Sequence, residues 1–462
     1  MLALCITLYL LLTLILGYLA SLKVKNTADF VVAGRSLPLF MAATVMFATW
    51  FGSETIVASP AEFVEKGVLG LIQDPFGAAL CLFLVGFFYA RKLYSLNLLT
   101  FCDYFKIRFG KKTELLSALL IIPSYFGWIG AQLVALKIIM GTVLGIDEYT
   151  GLLIGAALVT FYTYIGGMWA VSLTDFLQTF VIIGGLLAVL VGILIEIEDL
   201  SILLQAPAHK PDFWNLTPKE LDLPSSMTYL AAWITIGLGS IPQQDVFQRV
   251  MAAKSPKTAV QASHVGGLMY LSLGLVPVLM VWAGIQVYPD LAQKGENLLP
   301  TLVLNHSHIA IQVLFFGALL SAVMSTTSGA ILAPASVLGE NIIRHFKKDI
   351  SDKHLLLTIR ISIIFVMLFS LAMAIWKPNI HELVAQSSIF SLVSLFVPLT
   401  AGLYWKKASP VGAFLSMCLG MIAWGIAEFA FAEAAVPPLI WGLLGSGLAM
   451  WCGSLWEAAR NK

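Results

Sequence analysis

The chain has 462 residues, of which 59% are hydrophobic and only 11% charged, with a net charge of +1 and a mean hydropathy of +0.89. Soluble domains carry roughly 25% charged residues, so a string of such domains is excluded, as are intrinsic disorder, collagen-like repeats and a disulfide scaffold. The apolar residues come in blocks of about 20, the length that crosses a bilayer. The chain reads as an all-α polytopic membrane protein.

Apolar blocks lie at about 2–22, 38–58, 68–90, 114–145, 149–168, 176–196, 227–248, 259–288, 309–343, 354–376, 383–404, 410–432 and 435–456. They predict about thirteen transmembrane helices, the two longest tilted or extended beyond the bilayer. The first block has no basic residue before it and no small-residue cleavage pattern, so it reads as a retained helix rather than a signal peptide. An external N-terminus gathers Lys23, Lys25, Arg35, Arg91, Lys92, Lys106, Arg108, Lys111, Lys112, Arg249, Lys254 and Lys257 on the inside. Arg344, Lys347, Lys348, Lys353, Lys406, Lys407, Arg460 and Lys462 join them. Lys66, Lys210, Lys219, Lys294 and Lys377 then face outward, and Lys137 and Arg360 lie within spans. That asymmetry predicts N-out and C-in, in a plasma (inner) membrane. The longest external connection, about 197–226, contains Pro207, Pro211, Pro218 and Pro224 and folds only modestly.

The residues exclude several chemistries. There is no Walker A loop and no HExxH pair, and no GxSxG turn. His306 and His308 lack carboxylate or cysteine company. Cys5, Cys81, Cys102, Cys418 and Cys452 match no metal or redox spacing and none falls in an external loop, so no extracellular disulfide is expected. What remains is hydroxyl- and glycine-rich backbone inside apolar blocks, with a few intramembrane carboxylates. In the second span, Thr49, Gly52, Ser53, Glu54 and Thr55 suit either a broken helix whose freed carbonyls line a cavity or small residues packed in an ordinary helix. In the ninth, Ser325 and Thr326 lie one turn after Ala322. Two hydroxyls and a carbonyl there suit a weakly bound hard cation or a close helix–helix interface.

Three stretches are more specific: Ala33-Gly34-Arg35-Ser36-Leu37, the run from Tyr164 through Gly166-Gly167 and Val171 to Thr174-Asp175, and Ala322-Val323-Met324-Ser325-Thr326. With them the chain resembles the sodium:solute symporter family over nearly its whole length. The resemblance implies a 5+5 inverted repeat in spans 2–6 and 7–11, with helices 2 and 7 broken near the bilayer midplane. Residues 1–37 are then a peripheral first helix and inner loop, 38–196 the first repeat, 227–407 the second, and 408–462 two further peripheral helices. It also implies that Na⁺ sits between the carbonyls of Ala48, Phe51 and Ala322 and the hydroxyls of Ser325 and Thr326. Asp175 matches an aspartate near the inner end of span six that assists sodium exit, with a cap at the membrane face as the alternative. Trp50 stands where proline-type members carry an aspartate. Ala48-Thr49-Trp50 and the stretch from Ile241 through Gln243 to Val250 resemble the choline-transporting branch instead. Trp50 and Trp128 match two tryptophans of its aromatic box, while Gln243 replaces the third and leaves the box incomplete.

Asp74 is a carboxylate in an apolar span, which costs about 2.5–3.5 kcal/mol to insert and marks a cavity or a partner. It faces the solute, pairs with Lys137 or Arg360, or lies nearer the membrane surface. Glu54 has the same readings, and Glu340 reads as a solvated helix-end residue. The whole predicts sodium-driven uptake of a small organic solute, read as amine-bearing (cationic or zwitterionic), by alternating access. No chemical transformation is expected. The partners are the solute, Na⁺ as coupling ion and the lipid bilayer, with no other cofactor, no nucleic acid and no obligate protein partner. A nontransporting receptor or channel on the same scaffold is the alternative, and a membrane-embedded enzyme a more distant one.

Overall fold

A computed structural model describes residues 2–197, 199–204, 210, 212–220, 222–347, 349–376, 379–430 and 435–460. Lys348, Lys377, Lys462, Pro207 and Pro211 lie outside them. Among the described residues, ten helices are long and apolar enough to cross a membrane. Apolar side chains such as Leu8, Leu12, Phe87, Phe180, Leu268, Leu368 and Phe429 cover their outer faces. The polar residues turn inward, the arrangement a lipid solvent imposes.

The blocks drawn from the sequence are joined and cut differently by the backbone. The blocks at 149–168 and 176–196 form one helix, Glu148–Ile195, bent at Gly167. Gly167 has φ +50°, and a Cβ there would lie 2.5 Å from the Phe30 carbonyl oxygen, so glycine alone fits. The segment 169–175 between these blocks is helical rather than a loop: its polar residues Ser172, Thr174 and Asp175 are buried inside the protein, so the dip in hydropathy marks an inward-facing polar patch. Block 227–248 is split into Leu223–Gly237 and Gln244–Ala252. Pro242 in the gap has no N–H to give a helix, and the freed Gly239 carbonyl accepts from Ser391 Oγ at 2.6 Å.

The second span is interrupted in the same way. Leu39–Ala48 ends, and helical structure resumes around Glu54. In the gap Gln132 Oε1 accepts from the Ser53 N–H at 3.0 Å, and the Gly52 N–H reaches back to the Trp50 carbonyl at 2.8 Å. The broken reading of this span therefore holds over the packed-helix alternative. A third interruption, unforeseen from sequence, falls at Asp74, whose φ −143° and ψ +127° are extended within an otherwise helical stretch ahead of Pro75.

The two split helices meet on one side of the molecule. Leu37 pairs with Ala253 through backbone hydrogen bonds of 3.0 and 2.9 Å, Leu37 to Ala252 and Lys254 to Leu37. Beside them the Ala33-Gly34-Arg35 turn is left-handed throughout. It lays the Arg35 guanidinium over the Tyr94 ring, 4.1 Å from its centroid, with a hydrogen bond to the Tyr94 carbonyl at 2.8 Å. At the opposite end Phe213 is buried against Phe63 and Trp282. Lys210 donates there to the Glu65 carbonyl at 2.6 Å.

Several charges sit otherwise than their sequence context suggested. Glu340 is not solvated: its side chain is 11% exposed and pairs with Arg344 at 2.7 Å, one helical turn away. Arg249, assigned to an inner loop, is buried in the Gln244–Ala252 helix and lies so close to Gly329 that a Cβ there would meet its guanidinium at 1.9 Å. His306 stacks on Tyr288 with centroids 3.6 Å apart, and His308 caps the Ile309–Val337 helix. The five cysteines are unpaired thiols.

Candidate functional site

Two polar regions flank the gap in the second span. The first lies where Leu39–Ala48 ends against the Ile309–Val337 helix. Ala48, Phe51, Ala322, Ser325 and Thr326 are all fully buried. Thr326 Oγ1 donates to the Ala48 carbonyl at 3.3 Å, joining the last turn of one helix to the middle of the other. A Cβ on Gly52 would lie 2.8 Å from Thr326 Oγ1, so glycine at that position is what lets the unwound strand approach. Ser325 Oγ donates to Asp175 Oδ1 at 2.5 Å, and its carbonyl accepts from Ser328 Oγ at 2.8 Å. Asp175 is completely buried, which overturns the membrane-face cap. It lies two turns past the Gly167 bend, inside a helix and against the Ser325 hydroxyl, and its Oδ2 has no partner among the described residues. The arrangement is a cluster of uncharged oxygens with one carboxylate at its edge.

The second region is a narrow cavity of about 20 Å³, room for about one water. All four residues assigned to the solute from sequence line it: Trp50, Asp74, Trp128 and Gln243. Glu54 joins them, which settles its placement in the cavity. Ala78, Ile236, Ser240, Tyr270, Val384, Ser387 and Ser388 complete the wall. Among the described residues no Lys, Arg or His lines it. Lys137 pairs with Glu148 at 2.6 Å and Arg360 donates to the Ile165 carbonyl at 3.2 Å, so neither is the partner of Asp74.

Each polar wall group is held by a neighbour. The Trp50 indole donates to Asp245 Oδ2 at 2.9 Å, and Tyr125 donates to the other oxygen of that carboxylate. Glu54 accepts from the Trp128 indole at 3.1 Å and from Gln132 Nε2 at 2.7 Å. Asp74 accepts from Tyr270 at 2.7 Å and from Ser59 at 2.9 Å. Gln243 Nε2 lies 3.4 Å from Ser391 Oγ. Sequence reasoning missed Tyr270, Gln132, Asp245 and the serines at 387 and 388. Gln132 was legible, since it follows Trp128 by one turn and so shares its helix face. Asp245, an acid in an apolar block, carried the same signal as Asp74. A lone tyrosine in an apolar block, such as Tyr270, carries none.

Comparison with known proteins places this geometry. Residues 30–420 match the model of the sodium:solute symporter family. The human high affinity choline transporter 1 is 27% identical over 441 residues, covering 90% of this chain and 75% of that protein. The high-affinity proline transporter of Bacillus subtilis (strain 168) is 27% identical over 450 residues, covering 90% and 91%. Among solved structures, a Na⁺-coupled sialic acid symporter in a substrate-bound outward-open state superposes with a TM-score of 0.82 at 20% identity. That match covers 98% of this chain and 96% of the other, and it carries the fold alone.

Proposed function

The chain belongs to the sodium:solute symporter family and is a Na⁺-coupled solute symporter, not an enzyme; from that premise we propose that its solute is a small cationic or zwitterionic amine. One observation carries this reading: the cavity presents two carboxylates, Glu54 and Asp74, and two tryptophans, Trp50 and Trp128, with no basic side chain among the described residues of its wall. A buried carboxylate without a positive partner is costly, and a solute ammonium relieves that cost while its methylene or methyl groups rest on the indole faces. The solutes named for two of the relatives, choline and proline, each contain a positively charged nitrogen, the former as a cation and the latter in a zwitterion, and fit the same chemistry. Gln243 in place of a third aromatic leaves room for a hydrogen-bonding group, favouring a solute with a donor or acceptor over a bare quaternary head.

The coupling ion belongs at the other region, between the carbonyls of Ala48, Phe51 and Ala322 and the hydroxyls of Ser325 and Thr326, with Asp175 receiving it on exit through Ser325. The contact of Thr326 with the Ala48 carbonyl supports that ligand set. Thirteen crossings arranged as a 5+5 inverted repeat suit the backbone. At about 1.5 Å per residue, the 48-residue Glu148–Ile195 helix spans roughly 70 Å, about twice the ~30 Å hydrocarbon core, so the Gly167 bend separates two crossings. The 1–37 segment and residues 408–462 lie outside the repeats, at the periphery. The excess of Lys and Arg on one side supports N-out and C-in in a cell membrane. A small polar cavity beside the broken second span, in place of a continuous polar path, suits alternating access rather than a pore.

Thermal-shift and tryptophan-fluorescence titrations with primary amines, quaternary amines, monocarboxylates and sugars test the solute class, with Na⁺ or K⁺ as the only cation. Sodium-dependent binding confined to the amines is expected. Equal or better binding of a sugar or monocarboxylate contradicts the proposal.

A further inference from the structure

The solute cavity holds more oxygen than hydrogen along one wall. Tyr270 Oη lies 2.6 Å from Thr55 Oγ1, 2.7 Å from Asp74 Oδ1 and 3.1 Å from the Trp50 carbonyl oxygen. Ser59 Oγ lies 2.9 Å from Asp74 Oδ2 and 2.9 Å from the Glu54 carbonyl oxygen. These are five close oxygen–oxygen approaches, served by only three hydroxyl hydrogens, on Thr55, Ser59 and Tyr270. The surplus surrounds a buried carboxylate, in a wall with no basic side chain among the described residues.

The backbone builds this crowding deliberately. In the unwound part of the second span the Trp50 carbonyl accepts from the Gly52 N–H at 2.8 Å and keeps its second lone pair for the cluster, and Asp74 is extended where its own span is interrupted. Gly274 lets the Pro256–Val287 helix close on both: a Cβ there would lie 2.6 Å from Pro75 and 3.4 Å from Thr55. One turn earlier on the same helix, Tyr270 is thereby driven into the cluster.

We infer that the Trp50 carbonyl, Thr55, Asp74 and Tyr270 form a second Na⁺ site, distinct from the one at Ala48 and Ser325–Thr326. Uncharged oxygens with a single carboxylate are the donor set of a hard monovalent cation. On the Tyr270 side three approaches share two hydroxyl hydrogens, while Ser59 divides its single hydrogen between two acceptors with or without an ion. A Na⁺ takes lone pairs from all four oxygens at once, with the hydroxyl hydrogens turned away. Glu54, held by Trp128 and Gln132, is then the carboxylate left for a solute ammonium. Trp50 stands two residues beyond Ala48, so both ions grip the same unwound segment. The transport cycle moves at least two Na⁺ per solute. This rests on the symporter reading of the cavity and not on the identity of the solute.

The test is ²²Na⁺ binding to the purified, folded protein in nanodiscs without solute. Asp74→Asn is expected to bind one Na⁺ fewer than wild type. Tyr270→Phe keeps the carboxylate and is expected to weaken one class of ion about tenfold. Ser325→Ala with Thr326→Ala should retain the class that Tyr270→Phe weakens. Wild-type ²²Na⁺ stoichiometry and affinity in both Asp74→Asn and Tyr270→Phe overturn the proposal. So does a site in wild type that exchanges protons but not ²²Na⁺. Because no solute is present, a wrong solute class leaves these results unchanged and is exposed only by the titrations with amines and sugars.

Discussion

The two polar regions on either side of the unwound second span are built by opposite strategies. The region at Ala48 and Thr326 uses backbone carbonyls and small hydroxyl side chains from two helices, with Asp175 at its edge. The cavity at Trp50 draws its walls from large side chains of many segments, each oriented by a neighbour: Trp50 by Asp245, Trp128 by Glu54, Asp74 by Tyr270. The difference matches the ligands proposed for them. A small cation is recognised by oxygens at short, fixed separation, which one helical turn and one helix end supply. An organic solute is recognised by shape and by scattered charge, which only converging elements supply. The first is confined to a short motif; the second is free to vary from one position to the next.

Substitutions on the two sides should therefore fail differently. The largest effect is expected for Ser325→Ala with Thr326→Ala. Two lost ion ligands at about 1.5–3 kcal/mol each raise the Na⁺ concentration for half-maximal uptake by about two to four orders of magnitude. Solute affinity at saturating Na⁺ stays nearly unchanged, as Na⁺ titration of uptake will check. Glu54→Gln comes next: it keeps size and hydrogen bonding but removes a charge, so the half-saturating amine concentration rises about tenfold or more. An unchanged value would separate Glu54 from the solute. Trp50→Ala is expected to weaken amine binding by about 1–2 kcal/mol, whereas Trp50→Phe retains part of it. Equal effects of the two would reduce Trp50 to a packing residue. The smallest effect is expected for Gln243→Trp, a several-fold gain for a quaternary amine over a primary one, read as a ratio of competition constants.

How far each region was legible follows from the same contrast. The break in the second span could be read from Thr49, Gly52 and Ser53, because small and hydroxyl residues in an apolar block weaken a continuous helix. The break before Gln244 had Pro242 and two glycines to mark it. The extended backbone at Asp74 was hidden, since the sequence offers one proline, which helices tolerate. The bend between the fifth and sixth blocks was misplaced by several residues. Hydropathy falls across Trp169–Asp175, yet the conformation is set by Gly167 against the Phe30 carbonyl, a contact between distant parts of the chain. In the cavity, Trp50, Asp74, Trp128 and Gln243 converge; of their supports, Gln132 and Asp245 carried a readable local signal, while Tyr270 is defined by tertiary contacts that no local pattern encodes. Asp175 illustrates the limit from the other side. Its position near a predicted span end suggested a surface, and only the neighbouring Ser325 hydroxyl identifies it as interior.

The central claim is that ion binding on one side of the unwound segment drives solute held on the other. The most direct measurement is uptake of a radiolabelled small amine, chosen from the binding titrations, into proteoliposomes under an inward Na⁺ gradient. Accumulation is expected well above the external concentration, collapsing when the gradient is dissipated and absent when K⁺ replaces Na⁺. Uptake that only equilibrates, to the same level with or without Na⁺, would contradict the account.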